Sequence, residues 1–556
     1  MCLLPVSPPQ IPAETARVAR AAFPKGHPYL AVRDAFGPLF ADLQFASLYG
    51  GCGTPALSPG QLALVTLLQF AEGLSDQQAA DAVRSRLDWK YLLGLELTDP
   101  GFEASVLSEF RSRLLAGSQE TLLFDTLLAH CRTHGLLRAR GTQRTDSTHV
   151  LARIRSLSRL ELAGETLRVA LDTLATAAPD WLRTLDPAQL TAWADRYGRP
   201  VTAWRLPRGE APRREYAQQI AADGGHLLAQ LAAPGTPAAV ADLPAVVTLR
   251  TVWAQQYMED PAATGGWRWR TAEELPGAGT QVTSPHDPEA RFARKRQTEW
   301  EGYKVHVTET CEADQPLLIT DVQTTAAGRP DQEALAAIQG QLQAREVLPA
   351  QQLVDTGYLE AASLVRSQEE YGVELVGPAR ADTAWQARAQ TGYAAADFTV
   401  QWEAQVAVCP AGKQSVKWRE AQDHGHPVIE IRFAAEDCQA CPAREQCSRA
   451  REAGRRLTVR PQAEQAALQE ARARQKTPEF AAEYAARSGV EGALSQGVRR
   501  SGLRRCRYVG EAKARLQHLL IGAGLNLVRV GEWLRGTPRA QTRVLPFARF
   551  VAALGT

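Results

Sequence analysis

Asp355 closes the run Leu353-Val-Asp355 and opens Asp355-Thr-Gly-Tyr358, while Asp146 sits inside Arg144-Thr-Asp-Ser-Thr-His149. Far downstream, Tyr484, Arg487 and Glu491 follow one another at steps of three and four residues. On a helix those steps put a phenol, a guanidinium and a carboxylate on one face. Asp146, Asp355 and Glu491 then form a set of three carboxylates on two strands and one helix. Carboxylate oxygens are the hard ligands that Mg²⁺ takes, with water and substrate phosphate completing its octahedron. A pair of such ions roughly 4 Å apart can stabilise both the attacking and the leaving oxygen of an in-line phosphodiester displacement. The chemistry expected is therefore cleavage and transfer at phosphodiester bonds, with these three residues catalytic and Mg²⁺-binding. Each signal has a plainer reading alone: Asp-x-Gly is a common strand-to-helix turn, and Arg487 with Glu491 also makes an ordinary i,i+4 surface pair. Their occurrence together and in this order is what favours the catalytic reading.

A second constellation is Cys409-Pro-Ala-Gly-Lys413, followed by Cys438-x-x-Cys441 and Cys447. Four thiols in a β-rich stretch fit a tetrahedral Zn²⁺ site that staples a segment too small for a core of its own. With all four positions filled by protein, that zinc is structural. His424 or His426 remains an alternative to one thiol, and reduced surface cysteines are the plainer reading.

A third feature is basic. Arg499, Arg500, Arg504, Arg505, Arg507 and Lys513 follow the expected catalytic helix, and Arg291, Arg294, Lys295, Arg296 and Lys304 precede or lie on a strand. Both runs should flank the carboxylates, so contacts to a phosphate backbone are expected, with Lys304, Arg499 and Arg500 as the leading candidates. Overall charge adds nothing, because 63 Lys+Arg against 61 Asp+Glu leave only +2. Attraction to nucleic acid must come from local clustering.

The chain of 556 residues, 45% hydrophobic and 22% charged, is of ordinary globular composition and long enough for several cores. The start, Met-Cys-Leu-Leu-Pro-Val, lacks a basic region followed by an apolar one, so no secretory signal is expected. Leu516 to Leu534 is interrupted by His518, Asn526, Arg529 and Glu532, which argues for a packed helix over a membrane span. A cytoplasmic, nucleoid-associated location follows, and in that compartment nine cysteines suggest thiols or metal ligands.

The elements that must position these groups show in the periodicity. Ser58-Pro-Gly-Gln61 and Ser75 with Gln78 are capping signals for helices in an N-terminal helical domain, 1–138. Short helices around Ser75 to Arg86 and Ser105 to Leu115 suit a helix-turn-helix or any small bundle. Alternation around Asp146 marks a first strand within 139–150, and helical periodicity resumes in an insertion, 151–285. Next come a hairpin of Gly302 to Thr308 with Leu317 to Val322, a helix Gln332 to Ala344, a strand Gln351 to Asp355, a helix Glu360 to Glu369 and a strand Val373 to Gly377. That order is the layout of a ribonuclease-H-like α/β core over 286–380, with the first and fourth strands side by side. A small β insertion with the cysteines, 381–477, and C-terminal helices with Glu491, 478–556, complete the expected organisation.

These residues resemble bacterial insertion-sequence transposases of the DDE class, in particular the insertion-sequence family 1182 type. The resemblance runs through Pro55 to Gln61, Asp88-Trp-Lys-Tyr91, Ser108-Glu-Phe-Arg111, the Asp146 strand, Trp300-Glu-Gly-Tyr-Lys304, Asp355-Thr-Gly-Tyr358, the cysteine segment and Gly510 to Asn526. Relatives carry Tyr-x2-Arg-x3-Glu-x6-Lys. This chain has Val498 at the lysine position, with Arg499 or Arg500 next to it. The resemblance implies cleavage at the ends of a mobile element and strand transfer into double-stranded target DNA, with two Mg²⁺ ions that Mn²⁺ can replace. It also implies a homodimer on DNA, and gives Tyr484 and Arg487 the phosphate of the terminal nucleotide. Trp402 and Trp418 are candidate platforms for a flipped base. Two rivals remain: a related DNA-binding protein without catalysis, and a host ribonuclease-H-like nuclease.

Overall fold

The computed structural model describes residues 1–389, 391–450, 452–539 and 545–554. Its centre is a six-stranded mixed sheet. In chain order the strands are β1 (Thr142–Leu151), β2 (Arg291–Lys295), β3 (Thr298–Thr310), β4 (Ile319–Ala326), β5 (Gln351–Leu353) and β6 (Glu374–Val376). β3 lies antiparallel between β1 on one edge and both β2 and β4 on the other. β1 then pairs parallel with β5, and β5 with β6, giving the order β4–β3–β1–β5–β6 with β2 extending the first edge. The expected adjacency of the Asp146 and Asp355 strands is present, with Arg144 opposite Leu353. The helix expected over Gln332 to Ala344 spans Gln332–Ala344.

Alternation along β3 assigns its two faces. Tyr303, Val305 and Val307 point into the largest apolar core, with Val150, Ile319, Val322 and the buried side of the helix Glu511–Leu534. Lys304 and His306 point the other way, toward Asp331 and Tyr358, where the helices Gln332–Ala344 and Ala361–Tyr371 cover the sheet. The long helix is pinned by polar contacts. Asn526 donates to the Ile319 carbonyl and accepts from its N–H, at 2.7 and 2.8 Å, and His518 meets the Thr324 hydroxyl at 2.7 Å.

The N-terminal helices share that same core. Ser58 accepts from the Gln61 N–H and Ser75 forms a full capping box with Gln78, so Pro59–Glu72 and Asp76–Ser85 start where their sequences signal. From Leu62 to Ala71 every residue of the first is buried, with the two polar side chains satisfied, Thr66 donating to the Leu62 carbonyl and Gln69 to Asp76. It crosses Glu511–Leu534 so closely that a Cβ on Gly524 would lie 2.7 Å from the Ala71 nitrogen. The helices Arg159–Ala177, Pro187–Tyr197, Glu210–Ala232 and Pro244–Gln256 pack around a separate core that includes Leu167, Trp193, Ile220 and Trp253. A three-stranded sheet of Ser415–Asp423, His426–Phe433 and Arg456–Val459 encloses a small core with Phe398 and Ile431. No helix among the described residues is long and apolar enough to cross a membrane.

Candidate active site

Arg144 opposes Leu353, and Asp146 and Asp355 each follow two residues later, so parallel pairing brings the two aspartates level where β5 ends and β1 runs on. Strand ends of this kind are where α/β sheets expose polar groups to a ligand. Asp146 pairs with Val307 and shares its face, so its carboxylate turns toward the C-terminal helices. There Arg487 Nη2 stands 2.7 Å from Asp146 Oδ2 and 4.0 Å from Asp355 Oδ2, while Nη1 is 3.8 Å from Glu491 Oε1. One guanidinium thus faces all three expected carboxylates. Burial pushes the Asp146 carboxyl above its usual range, and Arg487 and the Ser147 N–H, which donates to Oδ1 at 2.8 Å, oppose that rise. Asp355 is braced from below by the Gly357 N–H, 2.8 Å from its Oδ1. Glu491 is much freer, its side chain 70% exposed against 15% for Arg487.

Tyr484, Arg487 and Glu491 do not share one regular helix. Pro478–Tyr484 passes through a 3-10 turn, Ala485–Gly489, into a second helix, Val490–Ser501. The physical reason is a buried cation beneath the turn. Arg144 Nη1 donates to the Ala486 carbonyl at 2.6 Å, taking an acceptor a continuous helix would use, and its Nη2 lies 2.7 Å from Glu309 Oε1. Glu309 is shared with Arg529 at 2.9 Å, which also donates to Gln496 on the second helix. Arg144, Glu309, Arg529 and Gln496 therefore hold the turn that carries Arg487. Tyr484 stacks on Phe480, ring centroids 5.3 Å apart, beside Leu353 and Val376.

The carboxylates open into a cleft of about 1090 Å³ whose walls include Lys295, Arg296, Trp300, Asp331, Arg380 and Val498. Asp331, which the motifs alone do not single out, is a further acid here. Its Oδ1 pairs with Lys304 at 2.9 Å and its Oδ2 accepts from the Ser147 hydroxyl at 3.3 Å. The available signal is its position, in the short loop after β4 and immediately before the helix Gln332–Ala344. Lys304 is thereby engaged with an acid. Arg500 donates to the Ala71 carbonyl, away from the cleft, and Arg499 lies exposed with a 3.4 Å contact to the Ser495 carbonyl. Val498 lines the cleft wall. Trp402 and Trp418 pack edge to face at 5.8 Å within the small β segment, and the aromatic pair in the cleft is His149 with Trp300, at 5.5 Å.

Cys409, Cys438, Cys441 and Cys447 line one cavity of about 250 Å³ with Phe398, Phe433 and Arg455. Two of the sulfurs accept backbone N–H groups, Cys409 from Lys413 and Cys438 from Arg455, each at 3.3 Å. Burial pushes the Cys447 thiol up, and the three neighbouring cysteines add to the rise. His424 and His426 sit at the far turn of the hairpin. As the side chains stand, no group of three or more His, Cys, Asp or Glu among the described residues is poised to hold a metal ion.

Two family models match the chain. One, described as Transposase DDE domain, matches residues 408–531, which contain the four cysteines and Tyr484, Arg487 and Glu491. The other, Transposase domain (DUF772), matches residues 17–113, within the N-terminal helices. No curated protein and no solved structure gives a match. A DDE domain implies an enzyme of the endonuclease or transferase type. Matches to transposase models over two separate stretches indicate a DDE-type transposase family.

Proposed function

We propose that this chain is a DNA transposase of the insertion-sequence family 1182 type, cutting at element ends and joining them to target DNA through Asp146, Asp355 and Glu491. The observation that carries the reading is the level pair Asp146 and Asp355 on neighbouring parallel strands, joined through Arg487 to Glu491 one helical turn on. The order β4–β3–β1–β5–β6, antiparallel on one side of β1 and parallel on the other, supports a ribonuclease-H-like core.

The donor set suits Mg²⁺ or Mn²⁺: two carboxylates already draw a cationic group between them, and a third stands exposed beside it. Asp146, Asp355 and Glu491 would hold the ions. Bound there, they would stabilise the anionic oxygens of the displacement. The chain's own residues do the rest. Arg487, released from Asp146, is positioned to donate to a phosphate oxygen of the terminal nucleotide, with Tyr484 behind it. Water attack frees a 3′-hydroxyl at the element end, and that hydroxyl attacks a target phosphodiester and expels a target 3′-oxygen. For the cysteines, four thiols around one cavity, two of them receiving N–H donors, suit a structural Zn²⁺. We further propose that the protein acts as a homodimer on DNA.

The test is Mg²⁺-dependent nicking and joining of DNA carrying the element ends, with wild type and Asp355→Asn compared. The proposal expects cut and joined products from wild type, and DNA binding without either product from the variant. Binding by both proteins with nicking by neither would make this a binding protein. Cutting without joining would make it a nuclease.

A further inference from the structure

Phosphate cannot approach a floor of carboxylates unless cations on the cleft walls counter the repulsion. Most basic groups that line the cleft are already committed: Lys304 to Asp331, Arg294 to Glu299, Arg487 to Asp146 and Arg504 to the Thr148 hydroxyl, while Arg380 stands singly among the described residues. The hairpin of β2 and β3 differs. Its antiparallel register ends at Lys295 opposite Thr298, so Arg296 and Gln297 form the tip. Lys295 and Arg296 are exposed, both line the cleft, and neither side chain makes a hydrogen bond or ion pair with the described residues. Lys295 is near enough to act electrostatically on Asp146.

Arg296 also has φ of 58°, a left-handed conformation that glycine or asparagine adopts with less strain at a hairpin tip. A long cation therefore occupies a place where the backbone alone would favour a small residue. From these observations, and resting on the transposase reading, the geometry points to the β2–β3 hairpin as the arm that grips the DNA backbone across the acidic cleft. Lys295 and Arg296 bind successive phosphates of the duplex. The interactions are with backbone and carry no base readout, so they serve element-end and target DNA alike.

The test measures binding of a labelled duplex without element ends, by fluorescence anisotropy, over a series of NaCl concentrations with the full-length protein. Every phosphate that the protein no longer neutralises lowers the slope of log affinity against log salt by about 0.9, so Lys295→Ala/Arg296→Ala should lower it by about 1.8. The swap Lys295→Arg/Arg296→Lys should retain the wild-type slope. Because the two side chains are exposed, the thermal midpoint of the double variant should match wild type. Should it fall, the single variants Lys295→Gln and Arg296→Gln, each expected to lower the slope by about 0.9, decide the matter. Wild-type binding with an unchanged slope in the hairpin variants overturns this inference alone. No salt-dependent binding by wild type overturns it together with the transposase reading.

Discussion

Gly489 and Gly492 stand three residues apart where the turn under Arg487 becomes a helix, and alanine should have opposite effects at the two positions. Both have backbone angles that alanine tolerates, so each replacement gains up to about 1 kcal/mol of helix propensity. A Cβ on Gly492 meets nothing within 4 Å, and Gly492→Ala should keep that gain. A Cβ on Gly489 would lie 1.9 Å from Arg144 Nη1 and 2.3 Å from its Cζ. The guanidinium must then move, although its side chain is only 8% exposed and bonded to Glu309 and Ala486. Breaking a buried ion pair costs about 3–5 kcal/mol, and the lower end applies because Glu309 keeps Arg529. The net expectation for Gly489→Ala is a loss of about 2 kcal/mol. Displacing Arg144 also releases the Ala486 carbonyl and shifts Arg487, and a misplacement near 1 Å can lower turnover about 100-fold. Urea unfolding of the three proteins, together with the nicking rate, tests this. Equal stabilisation by the two alanines would refute the claim that Arg144 sets the turn.

Two further outcomes follow from other parts of the fold. Cys438→Ser should remove one equivalent of zinc from the purified protein and lower its thermal midpoint, as measured by metal analysis and calorimetry, whereas Cys52→Ser, at an exposed cysteine outside the cavity, should do neither. His518 is wholly buried, and burial holds its pKa down to about 3, below an unfolded value near 6.5. The unfolded chain therefore binds the extra proton first as pH falls. Stability should be complete above about pH 6.5 and decline progressively below it, and His518→Leu should flatten the decline in urea midpoints between pH 7 and 5.

The level pairing of Asp146 with Asp355 was legible from the order of elements: β3, β4, a helix of 13 residues and the apolar strand β5 follow one another closely, and only the helical insertion and β2 separate them from β1. The helix Gln332–Ala344 carries the chain from the edge strand β4 past β3 and β1, so that β5 arrives parallel beside β1. The break between Tyr484 and Glu491 was less legible. Steps of three and four describe an ideal helix, and the glycines only hinted at an interruption. Its cause lies more than 300 residues away in Arg144, whose buried pairing with Glu309 exists only after β1 meets β3. The aromatic platforms were misplaced for a similar reason. Trp402 and Trp418 lie beside charged and polar residues in sequence, yet both are half-buried against the core of the small sheet.

The cations carry the same lesson furthest. Lys295 and Lys304 are nine residues apart, both on the β2–β3 ribbon, and their local sequences give no reason to separate them. The sheet separates them. Lys304 lies where β3 passes the loop after β4, so Asp331 reaches its ammonium. Lys295 lies at the end of β2, beyond the last residue of β4 that pairs with β3, where no acid makes an ion pair with it among the described residues. A basic residue becomes available to a phosphate only where the topology fails to supply a carboxylate first, and that depends on strand register. Net charge of +2 over the whole chain is thus compatible with a strongly basic arm above an acidic floor. The hairpin tip, by this argument, owes its readiness for DNA to strand length: an arm shortened by the pair Ala293 and Trp300 would withdraw both cations without altering a single charge.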